Sequence, residues 1–202
     1  YYIVGHSKGG NEALYAYLKM KAERLDDVIA VYNFDGPGFL DKIQDTQRYR
    51  STKQKIRTFV PSSSIVGMLL EHEKDYVAVK SQGYGILQHN PLFWLVKRNV
   101  FVAEEENVWV RDVAESTFSQ FLNGLSLEDR KFVTEKVFAI VSSCGAKSFV
   151  DLYKHPFRNT KIIVASYSKL PDDQKSKLIR ASKLLGFSCA SSYKHGLKDV
   201  KP

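Results

Sequence analysis

Short apolar runs alternate along this chain with segments of helical periodicity, and the first such pair opens the sequence. Tyr1-Tyr2-Ile3-Val4 is a β-branched and aromatic run ending at Gly5, which reads as a buried strand. From Gly9 to Arg24 the residues Ala13, Leu14, Ala16, Tyr17, Leu18 and Met20 recur at helical spacing, so an amphipathic helix begins just after Ser7. Residues 28–34 form a second buried strand, stopped by the turn signal Asp35-Gly36-Pro37-Gly38. This start is a βαβ unit, whose two strands should be parallel with a right-handed crossover.

Residues 41–54 are polar and suit a surface helix, and Ile56-Arg57-Thr58-Phe59-Val60 is a third strand closed by Pro61 and Ser62-Ser63-Ser64. Tyr76 to Lys80 alternates like a strand, before a loop at Gln82-Gly83-Tyr84-Gly85 and then His89-Asn90-Pro91. Beyond Trp94 the pattern changes. Val100-Phe101-Val102 and Val108-Trp109-Val110 predict a strand pair around the acidic turn at 104–107, and residues 114–122, 127–142 and 171–185 have helical periodicity. Ser126 is a good N-cap, with Glu128 and Asp129 in the first turn. Asp172 and Asp173 follow Pro171 in the same manner, and Gly186 suits a C-cap. The expected architecture is α/β, a parallel sheet flanked by helices over residues 1–105, followed by a mainly helical region over 106–202.

Composition changes this picture little. The 202 residues are 44% hydrophobic and 26% charged, an ordinary globular balance, and no apolar run reaches the length of a membrane span. Cys144 and Cys189 make no disulfide framework, so a reducing, cytoplasmic setting is expected. The net charge of +8 comes from scattered lysines that follow amphipathic segments, which points to a soluble basic surface and not to nucleic acid. The chain starts at Tyr1 within an apolar run, without a basic leader or cleavage site, and is expected to be preceded by more sequence.

The chemistry is concentrated at Gly5-His6-Ser7-Lys8-Gly9. Gly-x-Ser-x-Gly between a strand and a helix is a nucleophile elbow: the serine sits on a strained turn, so the residues two positions either side should lack a Cβ. Gly10 gives strand and helix further room. The helix start aims free amides at a developing oxyanion, and the Lys8 N–H is the donor this chain would supply. A phosphate loop would need Gly-Lys-Ser or Gly-Lys-Thr before the helix, which is absent.

The stretch Val4 to Ala16 resembles the elbow of the lipase-like α/β-hydrolases. Together with Tyr32-Asn33-Phe34-Asp35-Gly36-Pro37-Gly38-Phe39, residues 61–70 and Gln88-His89-Asn90-Pro91-Leu92-Phe93-Trp94, it closely resembles a bacterial, mostly uncharacterised branch of them, the Mbeg-like family. The resemblance covers roughly the first half of the chain. It implies an α/β-hydrolase fold and a serine hydrolase mechanism without a metal or organic cofactor, and no established substrate.

Such a serine needs a histidine to take its proton and a carboxylate to orient that histidine, in the chain order serine, acid, histidine. His6 should point away from the nucleophile, and His155 and His195 read as solvated surface residues. His72, in Glu71-His72-Glu73-Lys74, reads as helix-surface charge and stays open as the alternative base. His89 lies in a loop after a strand, where such a base belongs, and the resemblance points to it as well. Asp35 is the first candidate acid, against a reading as a turn-shaping residue only. Fungal-type lipases place their aspartate after the next strand, where this chain has Ser64, so Glu71 and Asp75 stay open as alternatives, as does an incomplete triad.

The second oxyanion donor and the first strands of such a sheet would lie before Tyr1, so this chain alone is expected to be inactive or to have that segment supplied. The first functional expectation is a hydrolase of small or lipid carboxylic esters, with Met68-Leu69-Leu70 and Leu92-Phe93-Trp94 lining an acyl site or packing the core. The second is a binding or scaffold protein that kept the fold and lost the chemistry. A third, weaker one is peripheral contact with an anionic membrane surface through lysines such as Lys19, Lys21, Lys53 and Lys55.

Overall fold

Four parallel strands, adjacent in space in the order they occur in the chain, organise the N-terminal part of the protein in the computed structural model. The structure describes residues 1–73, 75–83, 85–105, 107–146, 151 and 154–199. Strand β1 (Tyr2–His6) leads into helix α1 (Lys8–Lys19), which returns the chain to β2 (Ala30–Phe34). The two strands pair in parallel from Tyr2 opposite Ala30 to His6 opposite Phe34. Helix α2 (Gln47–Thr52) precedes β3 (Ile56–Pro61), and β4 (Val77–Val79) completes the sheet. Pro61 closes β3 at its end, where a missing N–H is tolerated.

The βαβ start forms because α1 places Ala13, Leu14, Tyr17 and Leu18 on one face and buries them against Val28, Val31, Tyr49 and Ile56. Each leucine, valine or isoleucine of this cluster contributes about 1.5–3 kcal/mol on burial. The helix stops at Lys19, where Met20 turns extended, and a 3-10 turn at Ala22–Asp27 delivers the chain to β2. The polar stretch expected to be one surface helix is instead α2 between two short 3-10 turns, because Tyr49 and Thr52 are drawn into the core. β1 is less buried than its apolar run suggests. It pairs only with β2, and Tyr2 and Val4 are exposed while Ile3 and Gly5 are half-buried.

The opposite sheet face is aromatic. Phe34 and Phe59 lie 5.6 Å apart between ring centroids, Trp94 packs edge-on against Phe34 at 6.0 Å, and Phe101 meets both Phe59 and Trp94. Phe101 comes from a hairpin of β5 (Val96–Lys97) and β6 (Val100–Phe101). Its two central residues, Arg98 and Asn99, both have positive φ, 50° and 65°, as a two-residue type I′ turn requires. The expected pairing of residues 100–102 with 108–110 therefore does not occur. Val108-Trp109-Val110 opens helix α3 (Val108–Asn123), because the Asn107 side chain accepts the Val110 N–H at 3.1 Å and caps the helix.

The chain divides into two compact units, one of residues 1–116 with a short stretch from His195, the other of residues 117–194. The second unit holds the C-terminal end of α3, all of α4 (Leu127–Ser142) and α5 (Pro156–Ser168), and most of α6 (Asp172–Asp199). Ser126 caps α4 as its sequence indicates, accepting the Asp129 N–H at 3.1 Å. Asp129 in turn takes an ion pair from Arg180 of α6 at 2.5 Å. Gly186 does not end a helix: α6 runs through it, carrying the buried Ser188 and Ser192 on beyond it. Cys144 is buried, Cys189 exposed, and both are free thiols. Among the described residues, no helix is long and apolar enough to cross a membrane.

Candidate functional site

Ser7 occupies the turn between β1 and α1 with φ 58° and ψ −132°, a region that L-residues other than glycine rarely adopt. The turn is held by the Ser7 N–H donating to the Phe34 carbonyl at 2.9 Å and by the Ser7 carbonyl accepting from Gly10 at 2.8 Å. The glycines explain how the strand and helix come so close. A Cβ on Gly5 would stand 1.9 Å from the Gly9 carbonyl oxygen, and one on Gly10 would stand 2.2 Å from Asn33 Oδ1. Gly9, by contrast, faces open space, so the steric demand falls on Gly5 and Gly10 and not on the second glycine of the pentapeptide. Lys8 is the first residue of α1, and its backbone N–H precedes the helical ladder. Its side chain turns aside to Glu12, 2.9 Å away, at the surface.

Sheet register brings Asp35, the first candidate acid, to the neighbouring strand end. His6 pairs with Phe34, so Ser7 and Asp35 each follow directly on one of two neighbouring strand ends. Asp35 is fully buried and has φ 50°, a left-handed conformation that aspartate tolerates better than most residues. Its Oδ1 accepts from Ser64 Oγ at 2.5 Å and from the Gly67 N–H at 3.0 Å, and its Oδ2 accepts from His89 Nδ1 at 2.8 Å. Burying a carboxylate is costly without such donors, and here both oxygens have them.

His89 lies in the loop of 3-10 turns between β4 and β5, with its side chain about one-tenth exposed. Because a carboxylate can only accept, Nδ1 of His89 carries the proton of that bond and the neutral ring keeps its lone pair on Nε2. The arrangement can therefore take a proton from a hydroxyl placed at Nε2, with the charge that forms stabilised by Asp35. The alternative acids are elsewhere: Asp75 pairs with Lys53 at the surface, and Glu71 is an exposed residue whose backbone bridges to Phe39.

His72 is not on a helix. Its Nε2 pairs with Glu115 at 3.2 Å, and although burial opposes its charge, Glu115 holds the imidazole above its ordinary value. His155 is exposed, and the side chain of His195 lies outside the described residues. His6 was expected to turn away, yet its ring lies against that of His89, centroids 4.6 Å apart, and its Nε2 reaches the His89 carbonyl at 2.6 Å. The histidine within the pentapeptide gave no sign of this, because the contact joins residues far apart in sequence.

Sequence reasoning also missed a buried carboxyl beneath the turn. Glu73 accepts from Tyr49 Oη at 2.6 Å and from Thr58 Oγ1, and is hydrogen-bonded by Asn33. Asn33 uses its Oδ1 to accept the Gly36 N–H at 3.0 Å, next to Asp35. Burial raises Glu73 above the usual carboxyl range despite these donors, and burial together with the Glu73 charge raises Tyr49. The acyl-site candidates divide: Met68 and Trp94 are core residues, and Trp94 donates to the Gln88 carbonyl at 2.7 Å, whereas Leu92 is 90% exposed.

The fold and site define an α/β protein with a strained strand–turn–helix serine at one strand end and, at the neighbouring strand end, a buried aspartate hydrogen-bonded to a histidine. A family model described as Mbeg1-like matches residues 1–139, and the chain belongs to that family. No match was found among curated proteins or solved structures.

Proposed function

We propose that the protein is a serine hydrolase of carboxylic esters, lipase- or esterase-like, built on an α/β-hydrolase core. The observation that carries this reading is the buried Asp35–His89 hydrogen bond at the strand ends where Ser7 sits with positive φ. In this reading Ser7 Oγ attacks the ester carbonyl carbon while its proton passes to His89 Nε2, and the Lys8 N–H donates to the carbonyl oxygen as it becomes an oxyanion. The tetrahedral adduct collapses by breaking the ester C–O bond, and His89 returns its proton to the departing alcohol. Water then gives a proton to His89 and its hydroxide to the acyl carbon, and the bond from that carbon to Ser7 Oγ breaks as His89 returns the proton to Ser7, releasing the carboxylic acid. Asp35 keeps the His89 tautomer and stabilises the imidazolium in both halves.

Ser64 stands where fungal-type lipases carry their acid, and this departure is what favours the contrary reading, a binding or scaffold protein without chemistry. The hydrogen bond from Ser64 to Asp35 supports the hydrolase instead: the position contributes a donor to a carboxylate moved one strand earlier. The test is hydrolysis of p-nitrophenyl acyl esters by the full-length protein, with Ser7→Ala and His89→Ala. Turnover lost in both variants supports the enzyme, whereas a folded protein without turnover against a range of chain lengths supports the scaffold.

A further inference from the structure

His6 sits immediately before Ser7, on the aromatic side of the sheet, beside Phe34 in the strand register. Its Nε2 lies 2.6 Å from the backbone oxygen of His89. A carbonyl oxygen can only accept, so His6 carries its proton on Nε2 and donates it there. The two imidazole rings face each other at 4.6 Å with 35° between their planes. Burial lowers the His6 pKa below that of an ordinary histidine, against the pull of its bond to the His89 carbonyl, which suits a ring that stays neutral beside another imidazole.

We infer that His6 is a positioning residue for His89: by holding the main chain of the base loop and one face of its ring, it sets the distance from the base to the serine next to it in sequence. Trp94 ties its own end of the loop to the sheet by packing on Phe34 and donating to the Gln88 carbonyl, and Asp35 holds His89 Nδ1. Asp35 fixes where the ring points, but a hydrogen bond at one nitrogen leaves the ring free to swing about it. The His6 contacts act on the backbone and the ring face, and so remove that freedom. Because His6 and Ser7 share a peptide bond, a shift of β1 carries the nucleophile and the anchor of the base together. Misplacement of a reacting group by about 1 Å can lower the rate roughly 10²-fold, so such a clamp acts on the chemical step and not on substrate binding.

This inference rests on the serine hydrolase reading, and its test separates the two. His6→Phe keeps an aromatic ring against His89 and deletes the donor, while His6→Gln places an amide N–H where Nε2 was. In ester turnover by the full-length protein, His6→Phe is expected to lower kcat by about 10- to 100-fold with KM nearly unchanged, and His6→Gln to recover most of the loss. Equal kcat in His6→Phe and the wild type overturns the inference, as does a folded His6→Gln no better than His6→Phe. A second readout needs no turnover: the low-field proton resonance of His89 Nδ1–H, assigned by its loss in Asp35→Asn. That resonance should be sharp in the wild type, broadened or absent in His6→Phe and restored in His6→Gln. If the wild type shows no esterase activity the hydrolase reading fails, yet this resonance still decides the clamp. A signal unchanged in His6→Phe overturns it.

Discussion

The His89 imidazole donates from Nδ1 to Oδ2 of Asp35 across 2.8 Å, joining a loop beyond β4 to the end of β2, fifty-four residues earlier in the chain. The bond is buried, and the carboxylate's other oxygen is taken by Ser64 and Gly67. Replacing Asp35 by Asn keeps the shape but removes the charge and allows the wrong His89 tautomer. A change of that kind in a serine triad costs about 10⁴-fold in kcat. Esterase kinetics should show a loss of that order, and a loss below about tenfold contradicts the role given to Asp35.

Ser64→Ala deletes one of the two donors to Asp35 Oδ1 and leaves the Gly67 N–H alone on that oxygen. A hydrogen bond to a charged group contributes about 1.5–3 kcal/mol, so urea unfolding should reveal a loss in that range. A Ser64→Ala protein as stable as the wild type means the short contact is not a stabilising one.

The glycines of the turn should separate cleanly. Gly5→Ala drives a methyl into the Gly9 carbonyl, and overpacking of this kind costs about 1–3 kcal/mol or more. Gly9→Ala meets nothing and places a better helix former in the first turn of α1, so its stability should equal or exceed that of the wild type by up to about 1 kcal/mol. Thermal melts of the two variants check this, and equal destabilisation would contradict the geometry of the elbow.

Much of this site is legible in the sequence, for identifiable reasons. The strand–turn–helix around Ser7 shows because two apolar runs flank an amphipathic stretch, and local periodicity survives folding. The parallel pairing of β1 and β2 follows from the same pattern. The pairing of Asp35 with His89 was one option among three carboxylates, since only the sheet register decides which strand end faces the base loop. The roles of His6 and Glu73 were not legible, because each rests on contacts between distant segments. By sequence Asn107 reads as part of an acidic turn, whereas its capping of α3 depends on where the preceding hairpin closes.

Glu73 gives the protein a pH dependence of definite sign. Its folded pKa is raised above the ordinary value by burial, so the folded state favours the protonated form. The stability this contributes is fully present below the unfolded pKa of about 4.3 and is lost as pH rises through the raised folded value. Wild-type stability measured against Glu73→Gln should therefore fall from about pH 4 upward and level off once Glu73 is ionised in the folded state. Paired denaturant titrations across that interval provide the measurement, and a difference that is flat or rises with pH contradicts it.

The central claim is that Ser7 is a nucleophile activated by His89. Reaction of the full-length protein with a fluorophosphonate, followed by mass-spectrometric mapping of the adduct, tests it most directly. The account predicts a single phosphonylated peptide modified at Ser7, absent in Ser7→Ala and slowed in His89→Ala. A folded protein that stays unmodified, or one modified at another serine with Ser7 intact, would contradict it.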